Sequence, residues 1–270
     1  MSKLFSLKDR VVVITGGGGL LGRQHAEAVA EAGGIPVLLD LHLAPVEELA
    51  ARFQDKYGVA ASGWAVDITQ EDQVAANCAA ILDRYGRIDA LVNNAANNPK
   101  VEGDGSKNFS RLEHFPLAVW EMDLAVGLTG AFLCAKHYGP VIARQGGVIV
   151  NISSDLGLIA PDQRLYRKPS LSDDQQPVKP VTYSAVKAGL IGLTRYLATY
   201  WPGVRCNALC PGGVENGQTP EFLQEVSSRI PMGRLARPEE YQGALLFLLS
   251  DASSYVNGAV LAADGGRTAW

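Results

Sequence analysis

The stretch from Arg10 to Ala32 constrains this chain more than any other. Arg10-Val11-Val12-Val13-Ile14-Thr15 is a short β-branched run, which suits a strand buried on both faces. It runs into Gly16-Gly17-Gly18-Gly19-Leu20-Leu21-Gly22, and Arg23 to Ala32 has helical composition. Strand, glycine turn and helix in that order form the setting in which glycines are informative. The bare backbone of such a turn lets a pyrophosphate approach. The helix start adds free N–H groups and the positive end of its dipole. Thr15, Gly16, Gly19, Leu20, Leu21 and Gly22 are therefore candidate cofactor-binding residues, with a ligand-free glycine turn as the alternative.

Ile35 to Asp40 reads as a second strand, and Asp40 stands 18 residues after Gly22. A carboxylate there can accept a hydrogen bond from an adenosine ribose 2′-hydroxyl and repels a 2′-phosphate. No arginine follows Asp40 and none lies within the glycine turn, so the pattern favours NAD over NADP. The alternative is that Asp40 is only a strand-end turn residue. Gly63 to Asp67 and Ile88 to Ala96 read as third and fourth strands, with helices at Glu47–Tyr57 and Glu71–Tyr85 between them. Leu41, Asp67, Ile68, Asn94, Ala95 and Ala96, at the strand ends, join the expected cofactor site. Strands alternating with helices predict an α/β fold: a doubly wound parallel sheet of about seven strands with helices on both faces. At 270 residues, with no repeat or linker, one domain accounts for the chain.

Residues 97–115 are polar and weakly patterned and read as a surface loop near the site, with Asn97 a candidate substrate contact. Leu117 to Arg144 reads as a long helix, apolar on several sides, and Gly147 to Ile152 as the fifth strand. Leu158 to Pro180 carries four prolines and the cations Arg164, Arg167 and Lys168, too long for an ordinary strand–helix connection. A helix follows over Val181–Tyr200, then a strand over Val204–Leu209 that ends in Cys210-Pro211-Gly212-Gly213. Residues 213–237 read as a substrate flap with a mobile helix, Pro238–Ser250 as a helix, and Ala259–Asp264 as the last strand.

Tyr183 and Lys187 are four apart on a predicted helix and so share a face. An ammonium beside a phenol favours the phenolate, which suits proton exchange near neutral pH. Two common residues at this spacing are usually a solvated face, so the pair acquires meaning from what surrounds it.

A net charge of −4 and a pI near 5.6 give no general pull toward nucleic acid or anionic membrane. No apolar run in the sequence approaches the ~20 residues of a spanning helix, and the first ten residues lack a signal-peptide apolar region. Cys78, Cys134, Cys206 and Cys210 lack zinc-like spacing and read as buried free thiols suited to a reducing cytoplasm. The four histidines form no ligand cluster, and no metal is expected.

Taken together, the motifs resemble the short-chain dehydrogenase/reductase family over nearly the whole chain. They are Thr15-Gly16 with Gly19 and Gly22, Asp67, Asn93-Asn94-Ala95-Ala96, Ile152-Ser153-Ser154, Tyr183 with Lys187, Arg205-Cys206-Asn207-Ala208 with Pro211-Gly212, and Asp264-Gly265-Gly266. The resemblance implies a Rossmann-type fold in its shorter, single-domain branch, with a nicotinamide cofactor at the carboxyl ends of the strands. It implies that Tyr183 exchanges the proton, that Lys187 lowers its pKa and holds the nicotinamide ribose, and that Ser154 hydrogen-bonds the substrate oxygen. Ser153 is expected to be structural, and Pro211, Gly212, Gly213 and Val214 to border the cofactor. The carboxyl-terminal segments are similar to a subgroup linked to bacterial surface-sugar or flagellin modification. Members of this length are commonly homotetramers, so a homotetramer or homodimer is expected.

Three departures stand out. The glycine spacing, with Leu20 in the usual third-glycine position, resembles the nucleotide-sugar branch. Gly127 stands where the family often has an asparagine that anchors a proton-relay water. Ser154 and Tyr183 are 29 residues apart, far more than in typical members, and the excess is the 158–180 segment. That segment is expected to wall the substrate pocket. Its Arg164 and Arg167 point to an acidic or phosphorylated substrate, or else simply pair with Asp173 and Asp174. The leading expectation is an NAD-dependent enzyme interconverting a secondary alcohol and a ketone on a polar, sugar-like or acidic small molecule. The alternatives are a nucleotide-sugar epimerase or dehydratase that retains NAD, and a catalytically silent NAD-sensing protein.

Overall fold

The computed structural model describes residues 3–97 and 110–270. Most of the loop expected over 97–115 therefore lies outside the described residues. Seven strands form one parallel sheet: β1 (Val11–Thr15), β2 (Ile35–Asp40), β3 (Ser62–Ala65), β4 (Ala90–Asn93), β5 (Val148–Ile152), β6 (Arg205–Pro211) and β7 (Val260–Ala263). Their order across the sheet is β3-β2-β1-β4-β5-β6-β7, so the winding reverses between β1 and β4. Ligands of such sheets bind at that reversal, outside the carboxyl ends of the strands.

All of β1 is buried, which explains its unbroken apolar run. Val12 and Ile14 enter one core with Phe53, Val92, Val150 and Leu248, facing α1 (Leu20–Glu31), α2 (Leu43–Tyr57) and α8 (Gln242–Leu249). Val11 and Val13 enter the opposite core with Leu91, Tyr138, Ile149 and Leu197. That second face carries α3 (Glu71–Tyr85), α4 (Leu117–Leu124), α5 (Gly130–Ala143) and α6 (Val181–Tyr200). The four cysteines are buried free thiols.

The long helix expected over 117–144 is α4 and α5 joined by a π-helical turn at Ala125–Thr129. Glycines let this turn press against its neighbours. A Cβ on Gly127 would lie 2.5 Å from Val186 Cγ1 of α6, and one on Gly130 would lie 2.7 Å from Ile68 Cδ1. The combined helix, Leu117–Ala143, reaches a mean hydropathy of 1.5 in its most apolar window, enough by length and composition to cross a membrane, although Glu121, Asp123, Lys136 and His137 interrupt its apolar run. In this fold its apolar character has another use: Cys134, Ala135, Tyr138 and Ile142 pack against the sheet.

A buried amide chain then ties the central strands to α6. Asn93 Nδ2 donates to Asn151 Oδ1 at 2.8 Å, Asn151 Nδ2 to Thr194 Oγ1 at 2.9 Å, and Thr194 Oγ1 to the Leu190 carbonyl at 2.8 Å. These bonds set the depth at which α6 lies against β5, and with it the position of Tyr183 and Lys187.

Candidate active site

The glycine turn is built for close approach. Gly16 has φ +63°, a left-handed conformation that a side chain disfavours. A Cβ on Gly22 would stand 2.1 Å from the Gly16 carbonyl oxygen, so only glycine lets α1 start against the turn. Gly19 caps α1 with no side-chain acceptor, leaving the first N–H groups of the helix available to an anion. From β4, Thr15 Oγ1 accepts the N–H groups of Asn94 and Ala95 at 3.0 Å each, and Asn94 Nδ2 donates to the Thr15 carbonyl at 2.9 Å.

Asp40, at the end of β2, is tied to the glycine turn. Its Oδ2 accepts the Gly18 N–H at 2.9 Å and its Oδ1 the Leu41 N–H at 2.8 Å, so it is fixed at the rim of the glycine turn. Arg23 is a cation that sequence spacing missed here: from the first turn of α1, its Nε folds back onto the Gly18 carbonyl at 2.6 Å. Asp67 Oδ1 accepts both the N–H and the hydroxyl of Thr69, which shapes the turn after β3.

These residues open on one cavity of about 1570 Å³. Gly16, Gly19, Leu20, Leu21, Asp40, Leu41, Asp67 and Ile68 line one end of it. Asn94, Ala95, Ala96, Pro211, Gly212, Gly213 and Val214 line its middle. Thr15 and Gly22 brace the wall from behind. The cradle fits a dinucleotide: a bare helix start for the pyrophosphate and a fixed carboxylate for a ribose.

Ser154, Tyr183 and Lys187 line the same cavity, as do Asn97, Arg164 and Arg167. Ser154 follows β5 and is buried; its hydroxyl donates to Asp155 Oδ1 at 2.8 Å and accepts the Leu156 N–H at 3.2 Å. Asp155 in turn is gripped by Arg267 at 2.8 Å in an ion pair almost wholly out of solvent. Ser153 donates to the Lys187 carbonyl at 2.7 Å.

The electrostatics differ from the sequence expectation. Burial pushes the Tyr183 phenol above its ordinary pKa, the Ser154 hydrogen bond opposes that, and Asp155 adds to the upward push. Lys187 does not drive it down. Its ammonium donates to the Ile152 carbonyl at 2.9 Å and lies 5.8 Å from the centre of the Tyr183 ring. Burial pulls Lys187 itself down to about 8; Cys210 raises it and Lys179 lowers it further. Where the family asparagine would reach, Val186 fills the space beside Gly127. A small cavity of about 10 Å³, room for about one water, remains between Gly127, Asp123, Thr182 and Lys187.

The long insert is organised from within. Gln176 Nε2 donates to the carbonyls of Lys168 and Leu171, and Gln176 Oε1 accepts the Lys168 N–H at 2.8 Å. Leu165 packs with Phe222, Val226, Ile230 and Leu235, so the insert and α7 (Pro220–Ser227) lean on each other across the cavity mouth. The guanidinium groups singled out from the sequence are engaged locally. Arg164 makes two 2.8 Å bonds to Asp162 and is largely exposed; Arg167 pairs with Asp173. Asp174 accepts the Ser172 hydroxyl.

The family model for short chain dehydrogenases matches residues 10–166, and one described as enoyl-(acyl carrier protein) reductase matches residues 171–268. The chain belongs to the short-chain dehydrogenase/reductase family and is an oxidoreductase acting on hydroxyl groups. It is 35% identical over 269 residues to cis-4-hydroxycyclohexanecarboxylate dehydrogenase of Sinomonas cyclohexanicum, covering 97% of each chain. It is 33% identical to D-threitol dehydrogenase of Mycolicibacterium smegmatis, covering 98% of this chain and 95% of that one. Among solved structures, a gluconate 5-dehydrogenase from Burkholderia cenocepacia, in complex with NADP and tartrate, superposes with a TM-score of 0.86 at 30% identity. That match covers 99% of this chain and 98% of the other.

Proposed function

We propose that this protein is an NAD-dependent dehydrogenase that interconverts a secondary alcohol and a ketone on a small polyol or hydroxy acid. The observation that carries the reading is the meeting of Ser154, Tyr183 and Lys187 with the glycine turn and Asp40 around one cavity. The nicotinamide, when bound, supplies the hydride acceptor or donor. The protein's own residues do the rest. The α1 start and the glycine turn hold the pyrophosphate, and Asp40 takes the adenosine ribose. Lys187, held near Ile152, takes the nicotinamide ribose. Ser154 orients the reacting oxygen, and Tyr183 removes or returns its proton. Burial raises the Tyr183 phenol, and a positive charge close to its oxygen, which Lys187 would supply from the same helix face, would make it a usable base near neutral pH.

NAD is preferred on the position of Asp40, whose carboxylate would face a 2′-phosphate. The Arg23 guanidinium on the same turn is the feature that favours NADP. The relatives named above are dehydrogenases, which favours this reading over an epimerase or dehydratase and over a silent NAD sensor. Cytoplasmic residence and assembly through the helical face belong to the same proposal. Leu117, Met122, Phe132, Tyr196 and Tyr200 are exposed on α4, α5 and α6, where a second copy of the chain would cover them.

The test is incubation with NAD and a panel of polyols and sugar acids, followed by nicotinamide absorbance. Net NADH accumulating over many turnovers supports the dehydrogenase. Substrate conversion with no net NADH returns the epimerase.

A further inference from the structure

Ser154 has one proton to give, and Asp155 holds it. The Ser154 hydroxyl donates to Asp155 Oδ1 at 2.8 Å. An ionised carboxylate accepts and does not donate, so the direction of this bond is fixed. The Leu156 N–H lies between the two, 2.8 Å from Asp155 Oδ1 and 3.2 Å from Ser154 Oγ. Asp155 Oδ2 accepts Arg267 Nη1 at 2.8 Å. Ser154, Asp155 and Arg267 all border the cavity in which Tyr183 stands.

The ion pair is built into the fold. Asp155 follows β5 and Arg267 follows β7, with β6 between them in the sheet. A shaped turn brings Arg267 back toward β5. Asp264 accepts the N–H groups of Gly266 at 2.9 Å and Thr268 at 2.8 Å, and Gly266 is left-handed at φ +89°. The side chains of Arg267 and Asp155 are 11% and 3% exposed, so water screens the pair far less than one at the surface.

This arrangement treats the two ends of the reaction differently. A ketone oxygen only accepts, so it gains the Ser154 hydroxyl only by drawing it off a charged acceptor. An alcohol gives its proton to Tyr183 and leaves the Ser154–Asp155 bond intact. The reacting oxygen gathers negative charge in the transition state and then competes with the carboxylate on nearly equal terms. When the hydroxyl turns away, Asp155 keeps Leu156 N–H and Arg267, so no buried charge is stranded.

Resting on the alcohol–ketone reading of Tyr183, we propose that Asp155 and Arg267 are positioning residues for Ser154. They withhold its hydroxyl from a ground-state ketone and so set the site to take up the alcohol. Arg267 acts through Asp155, and Asp155 acts through the hydroxyl. The carboxyl-terminal turn is thereby part of the active site, and oxidation is the direction it favours.

The probes are the alcohol of the polyol and sugar-acid panel that wild type turns over fastest and its ketone, with D-threitol and erythrulose as the first pair. Binding is measured calorimetrically in the two unreactive complexes, ketone with NAD-loaded and alcohol with NADH-loaded full chain, so that a slow variant can be included. Removing both charges together, in D155L/R267M, strands neither. This variant is expected to lower the ratio of ketone Kd to alcohol Kd by about three- to tenfold, the worth of one hydrogen bond. Asp155 also pushes up the Tyr183 phenol, an action that persists without the serine hydroxyl. In an S154A background the same two substitutions should therefore move the ratio by less than about twofold. D155N/R267M keeps an uncharged acceptor and should give a smaller shift in the same direction; it replaces D155L/R267M if that variant does not fold. An unchanged ratio, or an equal shift with and without the Ser154 hydroxyl, overturns the assignment. Turnover with an unchanged ratio removes the role of the ion pair alone, whereas no turnover across the panel strikes the dehydrogenase reading.

Discussion

Replacing Lys187 by methionine removes a buried ammonium while keeping the length of the side chain. Lys187 is 5% exposed, and its pKa falls from 10.5 to about 8. Between those values the folded chain binds fewer protons than the unfolded chain, so holding the ammonium opposes folding. The cost is fully present below the folded pKa and fades as pH rises toward the unfolded one. It amounts to about 3 kcal/mol at pH ~7 and less than about half of that at pH ~9.5. Against this, K187M leaves the Ile152 carbonyl without its 2.9 Å donor, a loss of about 1–3 kcal/mol that does not depend on pH. The variant is therefore expected to match or exceed wild-type stability near neutral pH. It should then lose about 2 kcal/mol of that standing by pH ~9.5. Urea unfolding followed by the fluorescence of the four tryptophans, at one protein concentration, measures the difference at both pH values. A stability gap that is the same at both would refute the claim that the fold holds Lys187 at a cost.

Two further predictions concern the flanks of the site. R267M strands the Asp155 carboxylate in a buried setting and should destabilise the protein by about 3–5 kcal/mol. The double variant D155N/R267M should recover part of that loss in the same urea assay, and no recovery would mean that Arg267 acts through packing alone. D40A should weaken NAD by about tenfold or more, at ~1.5–3 kcal/mol for a lost charged hydrogen bond, and affect NADP less. Fluorescence titration with both cofactors checks this, and an equal loss for the two would remove the role of Asp40 in choosing between them.

Most of the sheet could be read from the sequence because β1, β4 and β5 are buried on both faces and leave unbroken apolar runs. Boundaries slipped where composition is neutral. α2 begins at Leu43 rather than Glu47, and β6 continues through Pro211. The glycine turn could be read because the steric demand at Gly22 leaves a mark in residue type. Side-chain direction leaves none. The spacing of Tyr183 and Lys187 places both on one face, but it does not say that the ammonium turns to Ile152. Nor does a run of cations say which are committed to carboxylates. Arg167 pairs with Asp173, one of the two carboxylates that the sequence offers it, whereas Arg164 takes Asp162, only two residues away. Asp155 and Arg267 are 112 residues apart, and their pairing exists only in the fold.

The central claim is that Tyr183 carries the proton of an alcohol–ketone interconversion at a bound nicotinamide. Tyr183→Phe tests it most directly: the ring and its packing stay, and one hydroxyl is lost. With the best substrate of the polyol and sugar-acid panel, turnover should fall by about 10²–10⁴-fold, while NAD affinity stays within a few-fold of wild type. A Tyr183→Phe enzyme that binds NAD and still turns over within tenfold of wild type would contradict the account.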